Sequence, residues 1–278
     1  GCGARGGVAG GSERRAGQYR APPGGRQPAP ASRPGRVPRE HPRRAPRGGL
    51  PSSLRADAER HHKGKGPAVF TGLVRAVGTV LSADPAPGGA RLTLDPGPWT
   101  HRPEHGESIA VSGCCLTIVG TPAPGEPWAF DVIHETLAKT KLGALRPGSR
   151  VNLEPSVTAS TLMGGHFVQG HVDGVGTIAR ITRPDASGGE WRLRVAPPDG
   201  LMPFVTPKGS VCVDGTSLTV AALDPGDRAG AGGWFEVALI PTTLRETTLG
   251  DLAEGDPVNL EADILAKTVV HYTRHYAR

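Results

Sequence analysis

The chain repeats itself, and this repeat limits its possible folds more than any other feature. Gly72-Leu73-Val74 and Val77-Gly78-Thr79-Val80 return 98 residues later as Gly170-His171-Val172 and Val175-Gly176-Thr177-Ile178. The run Ser108–Ile118 returns as Ser210–Val220, and Thr136-Leu137 through Leu142-Gly143 returns as Thr243-Leu244 through Leu249-Gly250. Val151-Asn152-Leu153-Glu154 returns unchanged as Val258-Asn259-Leu260-Glu261. The order is kept throughout while the offset drifts only from 98 to 107. The body of the chain is therefore two copies of one structural unit.

Each copy is rich in short β-type runs separated by turn residues. In the first copy the runs fall at roughly 70–81, 90–95, 107–112, 114–120, 128–133 and 150–154. Asp84-Pro85-Ala86-Pro87-Gly88-Gly89 and Thr121-Pro122-Ala123-Pro124-Gly125 are turns by composition. Glu135–Leu142 suits one or two helical turns, with Gly143 as the C-cap. Six short strands in an open sheet would leave costly edges, so a small closed barrel is expected. Over 264–278, Ile264, Leu265, Thr268, Val269, Tyr272 and Tyr276 recur near helical spacing, which predicts a C-terminal helix. A helix this short is marginal alone and needs something to pack on; a partner subunit is one candidate. The expected fold is all-β: two tandem homologous six-stranded antiparallel Greek-key β-barrels, over 69–165 and 166–263, plus that helix.

Composition matters most for the first 68 residues. There 47 residues are Gly, Ala, Arg or Pro, without a period of 2 or 3.6 and with few large apolar groups. Such a stretch lacks the burial needed to offset its ordering entropy, so a disordered basic tail is expected. Three origins fit it: a targeting peptide, a basic tail for RNA or acidic surfaces, or translated GC-rich upstream sequence. Gly, Ala, Arg and Pro are what GC-only codons encode, whereas a targeting peptide should be richer in hydroxyl residues than Ser12, Ser32, Ser52 and Ser53 make it. Pattern starts abruptly at Val69-Phe70-Thr71-Gly72, and we expect Val69 to be the initiator.

The overall charge of +6 divides unevenly: 15 Lys+Arg against 4 acids before residue 69, and 17 against 22 after it. The body is mildly acidic and only 4% of the chain is aromatic, which counts against a nucleic-acid partner. No run of 18 apolar residues suggests a membrane span. The four cysteines Cys2, Cys114, Cys115 and Cys212 lack metal-site spacing, and reduced thiols in a cytoplasmic protein are expected.

Five motifs now stand together, in order across both halves: Phe70–Val74, Gly113-Cys114-Cys115-Leu116-Thr117, Gly164–Gly174, Asp214–Thr219 and Thr247-Thr248-Leu249-Gly250. They resemble the riboflavin synthase family over residues 69 to 268. The resemblance implies an enzyme that joins two molecules of 6,7-dimethyl-8-ribityllumazine, one donating a four-carbon unit to the other. The products are riboflavin and 5-amino-6-ribitylaminouracil, and no metal or cofactor is needed. It also implies one lumazine per barrel, a homotrimer whose active site lies between the first barrel of one subunit and the second of its neighbour, and an association with lumazine synthase. Holding two identical substrates face to face suits a duplicated binding unit, since orientation alone can account for about 7–11 kcal/mol of barrier.

The resemblance implies particular site residues. Gly72-Leu73-Val74 and Gly170-His171-Val172 become backbone contacts to the ligand ring in the two barrels, where glycine allows close approach. Cys115-Leu116-Thr117 and Ser217-Leu218-Thr219 each place two polar atoms on one face of a strand with the Leu turned into the core. The segments Asp131-Val132-Ile133-His134-Glu135-Thr136 and Ile240-Pro241-Thr242-Thr243-Leu244-Arg245 become ligand-binding, with Thr136 and Thr243 as matched hydroxyls. Lys208 joins them. The implied catalytic set is Cys115, His171, Ser217, Asp263 and Phe70, with Cys115 positioning or activating. His166 ranks below His171 as a proton carrier, and Asp214 reads as turn chemistry before Gly215. Ser112 stands where the family commonly has Asn, and Thr242-Thr243 replaces a pair that is often charged. Non-catalytic lumazine- or flavin-binding relatives from light-emitting bacteria are the alternative. These typically keep one working barrel, whereas Cys115, Thr117, Lys208, Ser217, Thr219 and Asp263 are all present here.

Overall fold

The computed structural model describes residues 68–277 except 187 and 228–231. The expected basic tail, apart from Ala68, lies outside the described residues. Twelve strands form two closed antiparallel barrels of identical topology. The first holds β1 (Ala76–Ala86), β2 (Gly89–Asp95), β3 (Ser108–Val111), β4 (Cys114–Val119), β5 (Trp128–Ile133) and β6 (Arg150–Pro155). They close in the order β1-β2-β5-β4-β3-β6. The second holds β7 (Gly174–Thr182), β8 (Trp191–Ala196), β9 (Ser210–Val213), β10 (Thr216–Asp224), β11 (Trp234–Leu239) and β12 (Pro257–Ala262), in the equivalent order. Among the described residues three α-helices accompany the barrels: α1 (His134–Lys139), α2 (Pro241–Glu246) and α3 (Ile264–His275). Among the described residues, no helix is long and apolar enough to cross a membrane.

Alternation along the strands builds a separate core in each barrel. In β4, Cys114, Leu116 and Ile118 point inward while Cys115 and Thr117 point out. In β10, Leu218 and Val220 point inward while Ser217 and Thr219 point out. Phe130 and Phe235 are each fully buried in the core of their barrel, Phe130 standing where the second repeat has Val237 and Phe235 where the first has Trp128. Burying such a ring contributes about 1.5–3 kcal/mol, and truncating it to Ala costs about 3–5 kcal/mol.

Two sequence expectations need correction. The first strand begins at Ala76, not near residue 70, and continues through Asp84-Pro85-Ala86 to Ala86, with Ala86 paired to Gly89. Those residues extend the β1–β2 ladder, and Gly88 at φ 86° makes the actual reversal. Gly143 is not a left-handed C-cap. α1 ends at Lys139, and Thr140 caps a following 3-10 turn, its hydroxyl accepting from Leu142 N at 3.2 Å. Glycine is required at 143 because a Cβ there would meet the Leu137 carbonyl oxygen at 2.4 Å.

The barrels meet through their tightest turns. Ser112-Gly113 joins β3 to β4 and Asp214-Gly215 joins β9 to β10, with φ of 43°, 79°, 47° and 80°. Two successive positive φ values define the type I′ turn that matches strand twist, which explains the Gly at both second positions. The tips touch: a Cβ on Gly113 would lie 2.7 Å from Gly215 N, and one on Gly215 would lie 2.8 Å from Gly113 N. Around them runs a near-symmetric polar network. Asn152 Nδ2 donates to the Asp214 carbonyl and Asn259 Nδ2 to the Ser112 carbonyl, both at 2.8 Å. In return Asn152 Oδ1 accepts from Thr248 N and Asn259 Oδ1 from Lys141 N, again at 2.8 Å. Symmetry breaks at one pair. The fully buried Asp214 carboxylate is ion-paired with Lys141 Nζ, whereas the equivalent positions in the other repeat are Ser112 and Thr248.

Candidate functional site

The outward face of β4 and β10 is where both polar pairs lie. Cys115 and Ser217 are half-buried and Thr117 and Thr219 exposed, while Leu116 and Leu218 fill the cores. The strand period of two therefore turns these residues as expected. What covers each face was not foreseen. The segments preceding β1 and β7 cross between the barrels, joined by Phe70 N to Val168 O at 2.7 Å and Val168 N to Phe70 O at 3.1 Å. Each then runs against the opposite barrel. Ser217 N donates to the Gly72 carbonyl at 2.8 Å, and Cys115 N donates to the Gly170 carbonyl at 2.9 Å.

Each tripeptide thus lines the barrel of the other repeat rather than the one it leads into. Gly72-Leu73-Val74 flanks Ser217, and Gly170-His171-Val172 flanks Cys115, with Val172 packed on the first barrel's core. Gly72 and Gly170 both sit at φ 75°, and a Cβ on either would lie 2.6 or 2.5 Å from the Ser217 or Cys115 Cβ. Only glycine allows this close approach in this conformation.

The two clefts, each a strand face with the segment that crosses it, differ in chemistry. Over Ser217 lies His166, whose Nδ1 is 2.6 Å from Ser217 Oγ. Burial pulls the His166 pKa below its ordinary value, against the opposing pull of the Asp263 carboxylate. The ring is therefore neutral at neutral pH, and its Nε2 is buried with no hydrogen-bond partner among the described residues. Asp263 caps α3, its Oδ1 accepting from Leu265 N at 2.9 Å. Cys115 is governed by burial too, which raises its thiol pKa, with the Ser108 side chain bonded to it opposing and Glu261 adding to the rise. That thiol is protonated at neutral pH, so it is suited to donate a hydrogen bond rather than to attack as a thiolate. His171 is exposed beside it.

Lys208 occupies a left-handed turn at φ 63°, where Gly106 stands in the first repeat at φ 74°. Its amide donates to the Val220 carbonyl at 3.1 Å, which sets the exposed lysine next to Thr219. A non-glycine residue held in that region costs about 1 kcal/mol or more, and such strain concentrates at functional positions. Near the first cleft, Ile133, His134 and Glu135 are exposed, Thr136 is half-buried and Val132 is buried in the core. Asp131 is bound by Arg91 through two bonds of 2.9 Å. In the second repeat Ile240, Pro241, Thr242 and Arg245 are exposed, Thr243 is half-buried, and Leu244 packs on the core. A cavity of about 430 Å³ brings Val74 and Arg245 together with Arg75 and Arg150.

Phe70, which the resemblance placed in the catalytic set, has its ring wholly buried among Ala110, Val168 and Cys212, where it holds the crossing segments. Four residues were missed as site-formers: Asn152 and Asn259, which tie the barrels, and Glu154 and Glu261, which bind the crossing segments. The signal was present, because the four-residue run that holds them is identical in both repeats.

The sequence profile described as "Lumazine binding domain" matches twice, over residues 71–156 and 169–263. Both barrels are therefore of one class, and the protein is a tandem of lumazine-binding domains. A riboflavin synthase of Mycobacterium tuberculosis is 44% identical over 207 residues, covering 74% of this chain and 98% of the relative. Riboflavin synthases of Actinobacillus pleuropneumoniae and Bacillus subtilis are 38% and 35% identical over 204 residues, covering 73% of this chain and 89% of each relative. The chain belongs to the riboflavin synthase family. A crystal structure of LumP complexed with 6,7-dimethyl-8-(1'-D-ribityl) lumazine shares the fold, with a TM-score of 0.55 at 22% identity over 69% of this chain and 98% of LumP.

Proposed function

We propose that this protein is a transferase that converts two molecules of 6,7-dimethyl-8-ribityllumazine into riboflavin and 5-amino-6-ribitylaminouracil. The observation that carries the reading is the pair of clefts. Each has a half-buried polar side chain, a strand hydroxyl two residues on, and a glycine backbone brought within contact distance of that strand. A protein that only carried one ligand would need one cleft; a reaction between two copies of one molecule needs two.

The reaction requires a proton to leave the C7 methyl of one lumazine. The resulting anion adds to the other, and four carbons (ring carbons 6 and 7 with their methyls) pass from donor to acceptor. In this reading the neutral His166 and Ser217 form the proton-accepting pair of one cleft, tuned by Asp263. The protonated Cys115 thiol and His171 donate hydrogen bonds in the other. Thr117, Thr219, Thr136 and Thr243 supply hydroxyls for the ring edge and ribityl chain, and Lys208 supplies a cation beside Thr219. Orientation of two bound reactants can lower the barrier by about 7–11 kcal/mol.

We further propose a homotrimer. Ile133 and Ile240 are 59% and 62% exposed at the mouths of the clefts, and Leu162, Met163 and Phe167 are exposed on the segment between the barrels. Leu265, Val269, Tyr272 and Tyr276 form an exposed apolar stripe on and just after α3. A neighbouring subunit would cover both surfaces and bring a Cys115 cleft against a Ser217 cleft. The cytoplasm as its location, and association with lumazine synthase, complete the proposal.

The test is to incubate the full chain with 6,7-dimethyl-8-ribityllumazine without any addition and follow riboflavin by absorbance and fluorescence. One riboflavin for every two lumazines consumed is the expected result. Tight binding without turnover would instead identify a carrier.

A further inference from the structure

Two buried carboxylates have no place in the chemistry above, yet both end on the tripeptides that line the clefts. Glu154 on β6 accepts from Thr71 N and Thr71 Oγ1 at 2.7 Å and from Gly72 N at 3.0 Å. Glu261 on β12 accepts from Gln169 N at 2.7 Å and from Gly170 N at 2.9 Å. Both side chains are essentially inaccessible, at 4% and 2% exposure. The glycine whose N–H each carboxylate takes is the one whose carbonyl receives the Ser217 or Cys115 amide. Each carboxylate therefore orients its own repeat's tripeptide toward the recognition strand of the other.

We propose that Glu154 and Glu261 are positioning residues for the two ligand clefts, Glu154 setting Gly72-Leu73-Val74 against Ser217 and Glu261 setting Gly170-His171-Val172 against Cys115. The inference rests on the function proposed above for those clefts. The two clamps are unequal. Glu154 receives three bonds and has Arg75 near it, which offsets part of the rise in pKa that burial causes. Glu261 receives two, and Asp173 stands where the first repeat has Arg75. Burial raises Glu261 to about 7, with Gln169 N, Lys267 and Gly170 N opposing and Asp173 adding to the rise. The other titratable groups facing it are the thiols of Cys212 on β9 and of Cys114 and Cys115 on β4. A proton on Glu261 removes an acceptor from a site furnished with backbone donors, so the Cys115 cleft loosens first as pH falls.

The experiment combines amide exchange by NMR in the ligand-free protein with riboflavin titration. In Glu261→Gln, exchange at Gly170 should accelerate while Gly72 is unchanged, and one of two riboflavin sites should weaken about ten- to hundredfold, the worth of a charged hydrogen bond. Glu154→Gln should do the reverse. Phe235→Leu, a core change remote from both carboxylates, should lower Tm while leaving both glycines and both sites as they were. If the Gln variants fold poorly, the unmutated protein suffices: protection at Gly170, corrected for intrinsic exchange, should rise with pH near 7, at a higher midpoint than for Gly72. Equal behaviour of the two glycines, or a Gln variant that lowers Tm with riboflavin binding intact, would overturn the proposal. Absence of riboflavin binding in the unmutated protein would instead sink the proposed function, with the exchange data still deciding the clamp.

Discussion

Replacing Lys141 with Thr tests how the two barrels are joined. Asp214 has no exposed surface, and its carboxylate is held by the Lys141 ammonium and by Asn259 N at 2.8 Å. Taking away the ammonium leaves a buried charge with a single backbone donor, a loss typically of about 3–5 kcal/mol. For a folded body of this size that corresponds to a fall in Tm of roughly 6–20 °C. The other repeat already contains a neutral solution, Ser112 with Thr248, so Lys141→Thr combined with Asp214→Ser should recover most of the loss. Burial holds the Asp214 pKa above its ordinary value, and Lys141 opposes that rise. Without Lys141 the folded-state pKa climbs further. The native state then keeps a proton that the unfolded chain has released, so stability falls as pH rises through the window above about 4. Urea denaturation at pH 5 and pH 8 should therefore show the single variant closer to the parent at pH 5. A loss below about 1 kcal/mol, or a double variant no more stable than the single one, would refute the reasoning.

Other expectations follow from the same contacts. Gly72→Ala should abolish ligand binding at the Ser217 cleft and destabilise the fold by more than Gly88→Ala, since both have positive φ but only Gly72 lacks room for a Cβ; binding and Tm of the two variants decide it. Ser217→Ala should lower kcat by about 10²–10⁴ with a smaller change in KM, as for loss of a proton-transfer partner; a change confined to KM would assign Ser217 to binding alone. Val269→Glu should reduce self-association in analytical ultracentrifugation without altering the far-UV circular dichroism of the barrels. Because Glu261 titrates at about 7 in the fold, against an ordinary value of 4.5, the native state binds its proton more strongly than the unfolded chain. Stability should fall between pH 5 and 7, and Glu261→Gln should flatten that slope.

The strand alternation of Cys114–Val119 and of residues 216–220 was readable from residue type, because side-chain period alone decides which positions reach the core. Cys115, Thr117, Ser217 and Thr219 were therefore locatable on one strand face from residue type alone. The start of β1 was not, because the segment before it carries strand-like side chains but bonds to the other repeat at Phe70 and Gly72. Gly143 was misread for a related reason: its need for glycine comes from Leu137, which a linear pattern cannot show to be overhead. His166 ranked below His171 because nothing in its neighbours along the chain brings Ser217, 51 residues away, onto its ring.

By itself the sequence determined the duplication, the all-β class, the two cores and the polar residues around them. These follow from local periodicity and from comparing one half of the chain with the other. Tertiary structure alone decided which half serves which cleft. The crossing of residues 70–74 and 168–172 is a long-range arrangement set by Phe70 and Val168, by the buried Glu154 and Glu261, and by contact between Gly113 and Gly215. The Phe70–Val168 and Gly113–Gly215 contacts join residues about a hundred apart in different halves, and in a repeat each of those residues has an equally plausible partner in its own half. Only close packing, which leaves no space for a Cβ at Gly72 or Gly170, selects between the two.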